Sequence, residues 1–135
     1  MIQIEAFQEP SAFDRLAGEW EALLHRFVGD TIFLTPAYQR SWWRHLGEGD
    51  LLLLTVRENG ELVGVAPLFS LEREGRRLLQ TVGCVEVSDY LDWILAPGRE
   101  TAVLEALLDF LGGFVAWDEM DLCNIHRDSP TLALL

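Results

Sequence analysis

From Leu51 to Leu71 the chain is apolar almost throughout, and the main interruption is the polar run Arg57 to Glu61, which contains Asn59-Gly60. An Asn-Gly pair readily supplies the two positive-φ residues of a tight turn between antiparallel strands. Leu51 to Arg57, with β-branched residues near its end, therefore predicts a buried strand, and Leu62 to Leu71 predicts its partner. Pro67 has no N–H to give a ladder, so it marks a bulge, an edge or the point where pairing ends. Glu74-Gly75 reads as a second turn. Leu78 to Val82 and Tyr90 to Leu95 read as two further strands, or as one strand interrupted around Gly83 to Ser88.

Such a sheet needs covering. Ile2 to Phe7 alternates as a short first strand. Ser11 with Asp14 three residues on suggests a capped start, and Phe13, Leu16, Trp20, Leu23, Leu24 and Phe27 then predict one amphipathic helix from Ser11 to Val28. Thr35-Pro36 opens a second helix, cap then first-turn proline, with Tyr38, Trp42 and Leu46 on one face and Gly47 as its stop. Trp43 falls off that face. After the break at Pro97-Gly98, Val103, Leu107, Phe110, Leu111 and Phe114 line a third helix, ended by Gly112-Gly113, and Glu119 to Ile125 reads as a final strand. Ser129-Pro130 starts one more helix of a single apolar turn, which cannot support itself. It either docks on a neighbour or begins a connection to something longer; the second reading is preferred. The division is then one lobe over residues 1–128, with 129–135 starting a helix or linker. The fold class is α+β, a mostly antiparallel sheet with helices on its faces, too antiparallel for a doubly wound nucleotide fold.

The chain has 135 residues and a formal charge of −12, and its 10 basic residues are all Arg. That field disfavours nucleic acid and anionic membrane surfaces, and the missing Lys removes Schiff-base and P-loop chemistry. No segment is long and apolar enough to predict membrane insertion, and the first residues lack the pattern of a secretory signal, so a cytoplasmic protein is expected. Cys84 and Cys123 fit no disulfide framework or metal spacing and are expected as reduced thiols.

Phe33-Leu34-Thr35-Pro36 with Trp42-Trp43, then Asn59-Gly60-Glu61-Leu62-Val63-Gly64-Val65-Ala66-Pro67-Leu68, then Gly83 before Asp89-Tyr90-Leu91-Asp92, and last Asp128-Ser129-Pro130, form an ordered series. The element order resembles the front part of the GNAT acyltransferase fold. The series resembles the N-terminal half of CelD-type acyltransferases, relatives of the FemAB aminoacyltransferases. The resemblance implies a GNAT-like lobe beside a second lobe or a homodimer partner. It also implies transfer of an acyl group from acetyl-CoA or another acyl-CoA to an amine or hydroxyl. In that family the second lobe is the one usually labelled as the acetyltransferase domain, so this lobe is expected to be weak or inert alone.

Direct candidates for chemistry are few, and no catalytic residue is assigned. Asp89, Tyr90 and Asp92 are the densest polar group in an apolar setting and are substrate-binding candidates; shaping the entrance of a strand is the preferred reading of the residues themselves. Trp43 is a further substrate-binding or interface candidate because its face is otherwise Arg and polar, whereas Tyr38 and Trp42 read as core. His126, Asp128 and Ser129 lie too close in sequence for a triad, and Ser129 is better read as a helix cap. Arg73, Arg76 and Arg77 read as a solvated hairpin tip. His25 and His45 have no ligand partner at metal spacing, so no metal is expected. The resemblance places the coenzyme A pyrophosphate at the turn Ala96 to Glu100, but one Gly, one Arg and a repelling Glu100 read as a plain turn, so no cofactor is expected on this lobe alone. Leu132, Leu134 and Leu135 are interface candidates: an exposed apolar run seeks a surface, which leaves a stand-alone binding or self-associating module as the alternative.

Overall fold

Asn59 and Gly60 take φ of 52° and 86°, and the hairpin they make is the centre of the sheet. The computed structural model describes residues 1–27, 31–83, 91–114, 117–123, 125 and 129–134. Strand β1 (Ile2–Phe7) pairs with β2 (Asp50–Glu58), and β2 with β3 (Glu61–Arg73), all antiparallel. Glu74 and Gly75, at φ of 54° and 78°, turn the chain into β4 (Arg76–Thr81). Strand β5 (Ile94–Leu95) also pairs with β3, while β6 (Glu119–Asp121) lies parallel to β4. The main order is β1-β2-β3-β4-β6.

Strands β4 and β5 occupy the same side of β3. Leu68 faces Thr81, and Val65 faces Ile94. They are one row with an interruption, and the interruption falls at Pro67. The Val82 N–H still donates to the Pro67 carbonyl at 2.9 Å. In such a pair residue 67 would return the bond, but proline has no N–H. Of the predicted strand from Tyr90 to Leu95, Ile94–Leu95 forms, Leu91 to Trp93 are not in a strand, and Tyr90 lies outside the described residues.

Two layers of helix cover the sheet. The first comprises α1 (Ala12–Arg15), α2 (Ala17–Arg26) and α3 (Pro36–Leu46), which pack on one another. Phe69 meets Trp42 and Trp43 of α3, with ring centroids 5.5 and 5.6 Å apart. Helix α4 (Glu100–Phe114) meets Gly64 through Val103. Residues 64 and 69 point to opposite faces of a strand, so α3 and α4 lie on opposite sides. Being covered on both faces is why β3 is apolar along most of its length. Helix α5 (Pro130–Leu134) packs against α4.

Several expectations need correction. The single helix from Ser11 is two, because the chain departs from regular helix at Leu16; Ser11 makes no side-chain cap, and Asp14 pairs with Arg40 at 2.5 Å instead. On α3 the buried residues are Pro36, Gln39 and Trp42, while Leu46 is exposed. Thr35 does cap this helix, accepting from the Tyr38 N–H at 3.3 Å. Gly112 and Gly113 lie inside α4 rather than ending it. The final strand stops at Asp121 and is parallel to its neighbour. Cys123 is in a disulfide, not a reduced thiol; Cys84 lies outside the described residues.

Candidate functional site

Asp92 sits just ahead of β5 with only 5% of its surface exposed. Its Oδ1 accepts the Trp93 N–H at 2.8 Å, and its Oδ2 accepts the Ser129 hydroxyl at 2.5 Å. Burial pushes its carboxyl above the ordinary carboxylate range, because a charge there is poorly solvated; the Ser129 and Trp93 donors pull the other way. Ser129 is also the cap the sequence suggests: its Oγ accepts the Thr131 N–H at 3.0 Å. Sequence reading found both residues but did not join them. The side chains thus form a three-point connection between the sheet and the start of α5. A buried carboxyl with raised proton affinity is the kind of group that acid–base chemistry uses. In this arrangement protein donors engage both its oxygens.

The turn ahead of α4 is closed by the Arg99 N–H donating to the Ala96 carbonyl at 3.0 Å. Gly98 takes a φ of 83° there, a conformation that favours glycine. The Arg99 guanidinium is drawn across to Glu58 at the end of β2. Glu100 places a carboxylate in the first turn of α4, where the helix dipole would otherwise attract a ligand's anion. A pyrophosphate needs free backbone donors and local positive charge. At this turn one donor and the guanidinium are already engaged and a negative charge is built in, so the residues do not fit such a group.

Trp43 is half-buried and lines an open groove of about 410 Å³ between the start of α1 and the side of α3, with Pro10, Ser11, Asp14, Arg40 and Arg44. Phe69 and Gly47 fix the indole. A Cβ on Gly47 would lie 2.5 Å from the Trp43 ring, so only glycine permits this approach. Trp43 and Asp92 are therefore not brought together by any contact the structure shows.

Asp89, Tyr90, Leu135, His126 and Asp128 lie outside the described residues. Leu132 and Leu134 are 47% and 44% exposed, and it is Thr131, not a leucine, that faces inward from α5. His25 and His45 are on the surface, and the described residues contain no group of three metal-ligating side chains. At the hairpin tip Arg77 reaches Asp50 and Glu72 at 3.8 and 3.9 Å, and Arg76 reaches Glu119 at 4.0 Å, which is a solvated mesh of opposite charges. Gln39, fully buried, was passed over in the sequence because an amide on a helix reads as solvent face. Among the described residues no helix is long and apolar enough to cross a membrane.

No protein-family model matches the chain, and neither does any curated protein. Solved structures do. An aminoglycoside acetyltransferase from an uncultured soil metagenomic sample is 19% identical with a TM-score of 0.60, covering 100% of this chain and 88% of that one. A ribosomal-protein-alanine N-acetyltransferase from Brucella melitensis biovar Abortus is 15% identical with a TM-score of 0.59, over the same shares. A GNAT family acetyltransferase from Staphylococcus aureus is 12% identical with a TM-score of 0.53, covering 94% of this chain and 89% of that one. At these identities the likeness establishes the fold: an α+β GNAT-type architecture.

Proposed function

We propose that the chain is a GNAT-fold lobe of an acyltransferase, of the two-lobed CelD/FemAB-like type that the ordered sequence series resembles. The full protein transfers an acyl group from acyl-CoA or a similar carrier to an amine or hydroxyl acceptor. This lobe walls the acceptor cleft and braces its neighbour. The observation carrying the acyl-transfer reading is the likeness to GNAT acetyltransferases over the whole chain. The turn before α4, with Arg99 held by Glu58 and Glu100 at the helix start, supports a lobe that does not hold acyl-CoA by itself.

The test is direct. A ligand that binds only the native state raises its melting temperature. Coenzyme A is expected to leave the melting temperature of the 135-residue chain unchanged, and acetyl-CoA hydrolysis or transfer to simple amines to stay at background. A saturable shift or turnover would overturn the inert-alone reading. Absence of transfer activity from a chain joined to its second lobe would overturn the acyltransferase reading.

The exposure of Leu132 and Leu134 supports a second reading, a binding or self-associating module on the same fold. It expects a dimer in sedimentation that dissociates in Leu132→Asp/Leu134→Asp. A monomer at all concentrations would leave only the first reading.

A further inference from the structure

We infer that the groove between α1 and α3 is a binding site for a small carboxylate that carries a flat apolar body, with Trp43 as its apolar wall and Arg44 as its charge partner. This stands apart from the acyl-transfer reading and uses none of the residues at Asp92 or the α4 turn.

The groove is built from both ends. Its aromatic wall is held in place before any ligand arrives, because Phe69 and Gly47 fix Trp43. A fixed ring presents apolar area at little cost in conformational freedom. Around it stand donors left over from folding. Arg40 gives an N–H to Asp14 at 2.5 Å, which offsets that carboxylate's charge within the lining. Arg44 has no ion pair among the described residues. The Ser11 hydroxyl lies in the same lining and is not spent on a helix cap. A guanidinium matches the two oxygens of a carboxylate in shape as well as charge.

Electrostatics narrows the ligand class. The chain as a whole carries −12, so its field repels anions from most of the surface. In this groove two guanidinium groups meet one carboxylate, so the local balance is positive. An anion that binds here does so through local contacts. A neutral or cationic ligand of the same shape gains nothing from Arg44.

Backbone amide shifts in NMR provide the test, with benzoate, benzamide and benzylammonium titrated as anionic, neutral and cationic isosteres. Saturable benzoate shifts are expected around Ser11, Arg40 and Trp43, with benzamide weaker and benzylammonium weakest. Arg44→Gln is expected to weaken benzoate roughly fivefold, the scale of a partly exposed ion pair, and to leave benzamide unchanged. The Arg44 side chain is on the surface, so this variant folds as the parent does. Trp43→Leu is expected to weaken benzoate and benzamide alike. Benzoate shifts outside the groove, or equal binding of benzoate and benzamide, or benzoate affinity untouched in Arg44→Gln, would each overturn the assignment.

Discussion

The side-chain amide of Gln39 donates to the carbonyl oxygen of Val82 at 3.2 Å, filling the bond that Pro67 cannot make. The same nitrogen donates to the Phe33 carbonyl at 2.7 Å. One buried amide therefore links the entrance of α3 to the edge of β3, where β4 leaves it. Gln39→Leu strips donors from both carbonyls. Leaving buried acceptors unpaired costs about 1–3 kcal/mol each, and the same change removes the Gln39 Oε1, which is buried without a partner, so a net loss of about 2–3 kcal/mol is expected in urea unfolding. Pro67→Ala restores an N–H facing Val82. In the double variant the new N–H should recover about 1 kcal/mol of the Gln39→Leu loss, so the two effects are not additive. Strict additivity would mean that the two residues do not share the Val82 carbonyl.

Asp92 and Glu19 should move stability with pH in opposite directions. Burial raises the folded-state pKa of Asp92 above its unfolded value. Its contribution is fully present below the unfolded pKa of about 4 and is lost as pH rises through the folded value. Asp92→Asn keeps an acceptor for Trp93 and removes the titration. Relative to this variant, the parent is expected to lose stability as pH rises from about 4 toward neutrality. Parallel stability–pH curves for the two proteins would count against a titrating Asp92.

Glu19 is held low by hydrogen bonds from Arg57, at 2.6 and 2.8 Å. Its contribution is present above the unfolded pKa of about 4.3 and is lost as pH falls through the folded value. The pair ties α2 to β2, and half of the Glu19 side chain is exposed. Arg57→Met is expected to cost about 1 kcal/mol at neutral pH and less in high salt. Chemical unfolding at two ionic strengths reads both effects.

Gly64 marks how closely α4 sits on the sheet. A Cβ there would lie 2.4 Å from Val103 Cγ1 and 3.3 Å from the Val56 Cβ. Gly64→Ala should lower stability by about 1–3 kcal/mol, the range for overpacking a filled core. Val103→Ala in the same chain removes the opposing methyl and should restore part of the loss. Thermal melts of the three variants decide whether the helix is pinned at this contact.

The hairpin was legible because two independent signals agree there: two apolar runs, Leu51 to Val56 and Leu62 to Leu71, and an Asn-Gly turn pair between them. Thr35-Pro36 was legible for the same reason, a cap and a first-turn proline side by side. What stayed hidden depends on partners distant in sequence. Gln39 is polar at a helical position whose acceptors, Phe33 and Val82, nothing local announces. The break at Leu16 was invisible because apolar spacing continues across it. Helix α5 leaves Leu132 and Leu134 exposed, but the burial of Thr131 beside the Ser129–Asp92 bond had no local signal. Of the candidate site, Asp92 was singled out for its polar surroundings; its tie to Ser129 needed the fold.

The divided row beside β3 means that one side of one strand holds two separate stretches of chain. Thr81 faces Leu68 and Ile94 faces Val65, so a short step along β3 separates two anchors joined by a long intervening stretch. Each anchor has its own ladder, and the chain next to each is tied down separately: Val82 to Pro67 and Gln39, and Asp92 to Ser129. One side of β3 thus indexes two stretches of the chain at once, and Pro67 and Gln39 together make the seam between them.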